Sequence, residues 1–144
     1  MQIARNAANL DVGDMFMRVF AQPDKQQLVI TLNQQKQLFE EGVNSMNVII
    51  GTYSPATEQM TGGEKRAGQH YTLLDTGAFY ESFKIVSVTK ESFTIDANGN
   101  KGDENLFEKY GQEILGLTDE SKERLAKLIT SEISFLTLQQ ILKG

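Results

Sequence analysis

His70–Phe83, HYTLLDTGAFYESF, admits two readings that lead to different folds. In the first, Asp75-Thr76-Gly77 is a tight loop that holds one acid for paired-carboxylate hydrolysis, which requires a mostly β chain around it. In the second, Asp75 is the N-cap of a short helix, its carboxylate accepting from the backbone N–H of Gly77 or Ala78. Leu74 then falls at N′ and Phe79 at N4, the positions of a hydrophobic staple. Phe79 and Phe83 share one face of that turn, and the stretch becomes a junction between a loop, a helical turn and a sheet.

The flanking sequence decides for the second reading. Downstream, FKIVSV and SFTIDA flank TKE, with Phe83, Ile85 and Val88 alternating in one and Phe93 and Ile95 in the other, which predicts a β-hairpin. NGNKGDEN reads as a polar turn, LFEKYG as one or two helical turns stopped by Gly111, and EILGL as a short strand. Thr118 caps a last helix, with Asp119 and Glu120 at its positive end. Leu125, Leu128, Ile129 and Ile133 recur on one face of it, and Leu136 and Ile141 continue the pattern.

Upstream, Met15, Phe16, Val19 and Phe20 predict a short helix over Gly13–Ala21, interrupted by Pro23. Asp24 is placed to cap a second helix ending at Gly42, a good left-handed terminus. Leu28, Leu32 and Phe39 mark its buried face, with Val29 beside them and the Gln-rich remainder toward water. NVIIGTY, Asn47–Tyr53, reads as a small strand or extended segment. Ser54–His70 holds Pro55, three glycines and almost no apolar residue except Met60, so residues 53–71 read as a long exposed loop or arm. Ordering each residue costs roughly 1–2 kcal/mol of backbone entropy, which a polar loop is not expected to recover from its own contacts. The sum is an α+β fold in a single domain over 1–144, with a small antiparallel sheet, packed helices, a long polar loop and a C-terminal amphipathic helix.

Composition narrows the function classes. The 144 residues suffice for one domain with a modest core, and 40% hydrophobic with 23% charged is ordinary for a soluble globular chain. No apolar run matches a membrane span, and the first residues lack the apolar stretch of a signal peptide. The absence of cysteine excludes disulfides and thiolate metal sites and fits a reducing compartment. With net charge −5 and no basic stripe, neither sequence-independent nor sequence-specific nucleic-acid binding is expected. His70 is the single histidine and has no clustered acids, so no metal or other cofactor is expected. His70, Asp75 and Ser82 supply the residue types of a hydrolase triad, but from one short segment without a nucleophile elbow.

LLDTGA resembles the string around the catalytic aspartate of retroviral-type aspartic proteases. That resemblance implies a dimeric enzyme with Asp75 as the acid. Such enzymes carry an apolar-apolar-Gly followed by Arg and Asp or Asn further on, where ILGLTD has Leu117 and Thr118. The upstream part also reads as helical and polar, without the strands of that fold.

A second likeness covers about two-thirds of the chain, from Gly42 to Ile129. LLDTGAFYESFKI resembles the Leu-x-x-Thr-Gly-x-Leu/Phe-x-x-Ser signature of phage tail-completion and virion-morphogenesis proteins, matched by Leu73 or Leu74, Thr76, Gly77, Phe79 and Ser82. LFEKYG resembles that family's short aromatic helix, and EILGLTDESKERLAKLI its strand, Leu-Gly-Leu-Ser/Thr motif and closing helix. IIGTYSPATEQM followed by TLLDTGAFYESF is similar to small phage-related proteins of Bacteroides-type genomes. Two positions depart: Gly111, Gln112 and Glu113 stand where Arg-Pro is frequent, and Tyr110-Gly111 replaces Phe-Gly. The resemblance implies a non-enzymatic subunit of a head–tail connector, neck or tail-completion ring of roughly 6 or 12 copies, meeting head to tail between portal or connector and tail proteins. It would be made in the host bacterial cytoplasm and reside in the virion, and DNA would pass through the ring unread. Tyr53, Ser54, Pro55, Lys65 and Arg66 become the candidate subunit-interface loop, and Leu74, Asp75, Thr76, Gly77, Phe79 and Ser82 the structural motif. The remaining alternatives are the protease and a cytosolic protein-interaction module.

Overall fold

The computed structural model describes residues 13–130. Helix α1 spans 13–21, the expected range, and buries Met15, Val19 and Phe20. Phe20 contacts Phe16 at 4.6 Å and Phe93 at 4.8 Å between ring centroids, which seats α1 beside the hairpin. Burial of each such side chain contributes about 1.5–3 kcal/mol.

Helix α2, Pro23–Thr31, starts two residues earlier than the Asp24 cap requires. Its N-cap is the extended Gln22, Pro23 takes the first helical position, and Asp24 sits in the first turn, where its charge still meets the positive helix end. The chain then continues without a break into a ten-residue π-helical segment, Leu32–Glu41. Gly42, at φ 69°, terminates it as expected, and its N–H donates to the carbonyl of Gln37.

The wider π turn overturns the expected faces of this helix. Bonds run i→i+5, so the inward stripe drifts away from 3.6-residue spacing. Asn33, Gln34 and Gln37 are buried, two of them completely, while Phe39 is turned outward at 42% exposure. The glutamine-rich side is therefore an inner side.

Beyond the helices, residues 44–53 form no strand. A turn over 45–47, closed by Asn47 N donating to Asn44 O at 3.0 Å, leads into residues with only the isolated bridges Val43↔Ile49 and Thr52↔His70. Helix α3, Pro55–Met60, lies in the arm, and α4, Ala78–Glu81, follows the Asp-Thr-Gly string. The expected hairpin is present: β1, Lys84–Val86, pairs antiparallel with β2, Thr94–Asp96, with Ile85 opposite Ile95. NGNKGDEN is more than a turn, because β3, Asn100–Lys101, and β4, Glu104–Asn105, make a second miniature hairpin around Gly102. The fold is α+β, with two small antiparallel sheets in place of the one expected.

Helix α5, Leu106–Tyr110, is capped by the Asn105 side chain, which accepts from Phe107 N at 3.0 Å and Glu108 N at 3.1 Å, and it stops at Gly111. EILGL is a 3-10 turn, Gln112–Ile114, running into extended backbone, and it pairs with no strand. Two side chains take the place of one. Asn33 donates to Ile114 O at 3.0 Å and accepts from Gly116 N at 2.8 Å. Gln37 donates to Gly116 O at 2.8 Å and accepts from Thr118 N at 2.9 Å. The two buried amides thus read one edge of residues 114–118 as a neighbouring strand would, and buried backbone groups must be paired by something.

Thr118 caps the last helix, α6 (119–130), its hydroxyl accepting from Ser121 N at 3.1 Å. Leu125 and Ile129 are buried as expected, whereas Leu128 is 52% exposed and lies off that face. Ile133, Leu136 and Ile141 lie outside the described residues. The core joins α1, α2 and α6 to the hairpin through residues such as Val29, Leu38, Phe83, Ile95 and Leu117.

Candidate functional site

The arm is exposed, as expected, but it is not structureless. Its base is closed by antiparallel contacts: Tyr53 N donates to Gln69 O at 2.9 Å, and Tyr71 N to Gly51 O at 2.8 Å. Ser54 caps α3 by accepting from Thr57 N at 3.2 Å, with Pro55 at the first helical position. Glu58 accepts from Ala67 N at 3.0 Å, and the Thr61 hydroxyl donates to Thr57 O at 2.9 Å and accepts from Lys65 N at 3.1 Å. The apolar anchors are indeed missing, since α3 buries no residue and Met60 is 87% exposed. Side-chain caps replace them, and polar residues in turns make such local bonds readily.

His70 docks the arm on the body. Its Nε2 lies 2.8 Å from Phe39 O, and its ring covers Gly42 so closely that a Cβ there would stand 2.3 Å from it. Glycine is thus required at 42 twice over, for positive φ and for space.

The Asp-Thr-Gly string lines one wall of a cleft of about 260 Å³, whose opposite wall is the arm base. Leu74, Asp75, Thr76, Gly77 and Phe79 come together here with Tyr53 and Lys65. Leu73, at φ 60°, precedes the string in a left-handed conformation rarely adopted by a bulky side chain. It turns Leu73 onto the core and leaves Leu74 41% exposed.

Asp75 is not the helix cap. Gly77, at φ 89°, is the N-cap of α4, and Ala78 N donates to the Thr76 hydroxyl at 3.3 Å. The staple fails with it, because Phe79 falls at the second helical position and Leu74 faces outward. Lys101, brought in by the β3–β4 hairpin, takes the carboxylate at 2.6 Å. The hydrogen bond from Lys101, then its charge, and more distantly that of Lys65, hold the Asp75 carboxyl below its usual range. A shared-proton dyad needs two carboxyls of which one stays protonated. Asp75 is instead ionised and neutralised by a lysine.

The other elements of the stretch are occupied individually. Ser82 donates to Phe79 O at 2.6 Å and accepts from Asn98 N at 2.8 Å, tying α4 to the end of β2. Phe79 and Phe83 do share a face, at 5.0 Å and edge to face. Tyr80 donates to Thr72 O, and burial pushes its phenol well above the ordinary range. His70, Asp75 and Ser82 each have a different partner, so the three residue types do not form a relay.

Two lysines and a tyrosine of the cleft were missed in the sequence. Lys101 and Lys109 belong to β3 and α5, and Tyr110 extends a row begun by Tyr53 and Tyr71, with centroid separations of 4.8 and 5.9 Å. Lys65 caps one end of this row, 5.5 Å from the Tyr53 centroid, and Lys109 the other, 5.5 Å from that of Tyr110. Tyr110, then Glu104 at 3.7 Å, raise the Lys109 ammonium above its usual range. Arg66 does not line the cleft and is exposed. Among the described residues no cluster of three or more His, Asp or Glu is placed to hold a metal ion, and no helix is long and apolar enough to cross a membrane.

No family model matches the chain, and searches of curated proteins and of solved structures found no match either.

Proposed function

We propose that the chain is a structural subunit of a phage head–tail connector, neck or tail-completion ring that assembles between portal and tail and catalyses no reaction. The observation that carries this reading is the exposure of apolar side chains beside and on the arm. Met46 is 69% exposed, Val48 55%, Ile49 60% and Met60 87%, on a chain with a well-filled core. Three of these fall within residues 46–49, and neighbouring exposed apolar side chains mark contact surfaces with other proteins. The family-like signature supports the same reading, since four of its five matched positions line the cleft at the base of the arm. An arm ordered by its own hydrogen bonds presents its contacts pre-formed, which lowers the entropic cost of docking.

The test is negative-stain microscopy of the full chain mixed with portal and tail proteins encoded beside it. Rings seated on portal or tail ends support the reading. A chain that binds none of these proteins, in any order of addition, rules it out.

A further inference from the structure

We propose that Asn98 is a self-modifying site, at which the folded chain converts its own asparagine amide into aspartate and isoaspartate. The inference is independent of the ring reading and concerns the junction between β2 and β3.

Asn98-Gly99 is the only place in the chain where glycine follows asparagine. The order matters because the nitrogen that can attack the asparagine amide carbon belongs to the next residue, and glycine alone brings no side chain into that approach. Packing demands glycine here as well, since a Cβ at 99 would stand 2.7 Å from the Phe107 ring. Asn98 itself is exposed to the water that the reaction consumes.

The fold also prepares the amide. Asn98 Oδ1 accepts from Asn100 N at 3.0 Å, which closes a turn around Gly99. The amide carbonyl and the Gly99 nitrogen are thereby held in one short ring, so less freedom is lost when they meet. The Asn100 N–H also rests on the oxygen that becomes negative as the nitrogen adds, the position of an oxyanion donor. Among the described residues the Gly99 N–H makes no hydrogen bond that would first have to break.

The step balances with water as the sole co-reactant. Gly99 N gives its proton to solvent and bonds to Asn98 Cγ. The Cγ–Nδ2 bond breaks, and the departing nitrogen takes up a proton and leaves as ammonia. Water then opens the resulting succinimide at either carbonyl, giving aspartate or the isoaspartyl product, whose main chain runs through Cγ. The isoaspartyl form adds one methylene between two fixed points. Asn98 N donates to Ser82 Oγ at 2.8 Å, and Gly99 O accepts from Leu106 N at 2.8 Å. Lengthening the chain between them would displace β3, which carries Lys101 to Asp75.

Peptide mass spectrometry of the full chain, incubated in heavy-oxygen water at mildly alkaline pH, tests this. Asn98 should take up the heavy label in two separable products, aspartyl and isoaspartyl, at a rate in the folded chain equal to or above that in the urea-unfolded chain. Asn98→Gln, which would have to close a larger ring, should stay unlabelled over the same period. A folded chain that reacts more slowly than the unfolded one overturns the inference, because the turn would then hold the nitrogen away from Cγ. An aspartyl product without its isoaspartyl partner also overturns it, since water and not Gly99 would be the attacking group. Labelling of Asn98→Gln at the wild-type rate overturns it on the same ground.

Discussion

Asn33 and Gln37 each close two hydrogen bonds on a backbone that has no neighbouring strand. Asn33→Asp keeps the shape but sets a carboxylate oxygen against the carbonyl of Ile114 in a fully buried site. We expect it to cost about 2–4 kcal/mol, read as a lower urea midpoint at neutral pH. Asp75→Asn should behave in the opposite way. The Asp75–Lys101 pair is about half exposed on both sides, so its loss should change stability by less than about 1 kcal/mol. Because the folded carboxyl is held low, the pair contributes above the ordinary carboxylate range and its contribution is lost as pH falls through the lowered value. Acid titration of the wild type against Asp75→Asn should therefore converge at low pH, and neither protein should cleave an unstructured peptide. Nothing in the string DTG alone reveals Lys101, which lies 26 positions away and arrives only when β3 and β4 pair.

At the scale of elements, what was legible followed local rules. Apolar alternation located β1 and β2, Pro23 marked the break after α1, Gly42 marked the end of the long helix, and Thr118 marked the start of α6. What was hidden followed tertiary demand. A run of glutamines on a helix reads as a wet face under 3.6-residue spacing, and only the π geometry together with an unpaired 114–118 segment turns it inward. EILGL has strand composition and extended backbone, but its partner is a pair of side chains, which no periodicity can announce. The order within the arm is hidden for a related reason, since it comes from side-chain caps rather than from burial. Ser54→Ala should fray α3, costing about 1 kcal/mol locally, and hydrogen exchange should report it as faster exchange at Thr57 and Glu58 with the body unchanged. Lys36 links the end of the π segment to α6 through Glu41 at 2.6 Å and Glu120 at 3.3 Å. Its hydrogen bond to Glu41 is the main cause of a raised ammonium pKa. The link is thus fully present below the ordinary lysine value and is lost as pH rises through the raised one, so Lys36→Met should lower stability at neutral pH by up to about 1 kcal/mol and progressively less in strong alkali.

For the molecule as a whole, the proposed docking role rests on the arm, the cleft at its base and the exposed apolar side chains of residues 46–49. The titratable groups of the cleft are neutralised in pairs, apart from Lys65 and its tyrosine. Apolar side chains such as Met60 and Ile49 remain uncovered in the isolated subunit, and a ring would cover them. Native mass spectrometry of the full chain, alone and with its portal and tail partners, measures this most directly. The account predicts a closed oligomer of a single copy number bound to one of those partners, whereas a chain that stays monomeric and unbound in every mixture would contradict it.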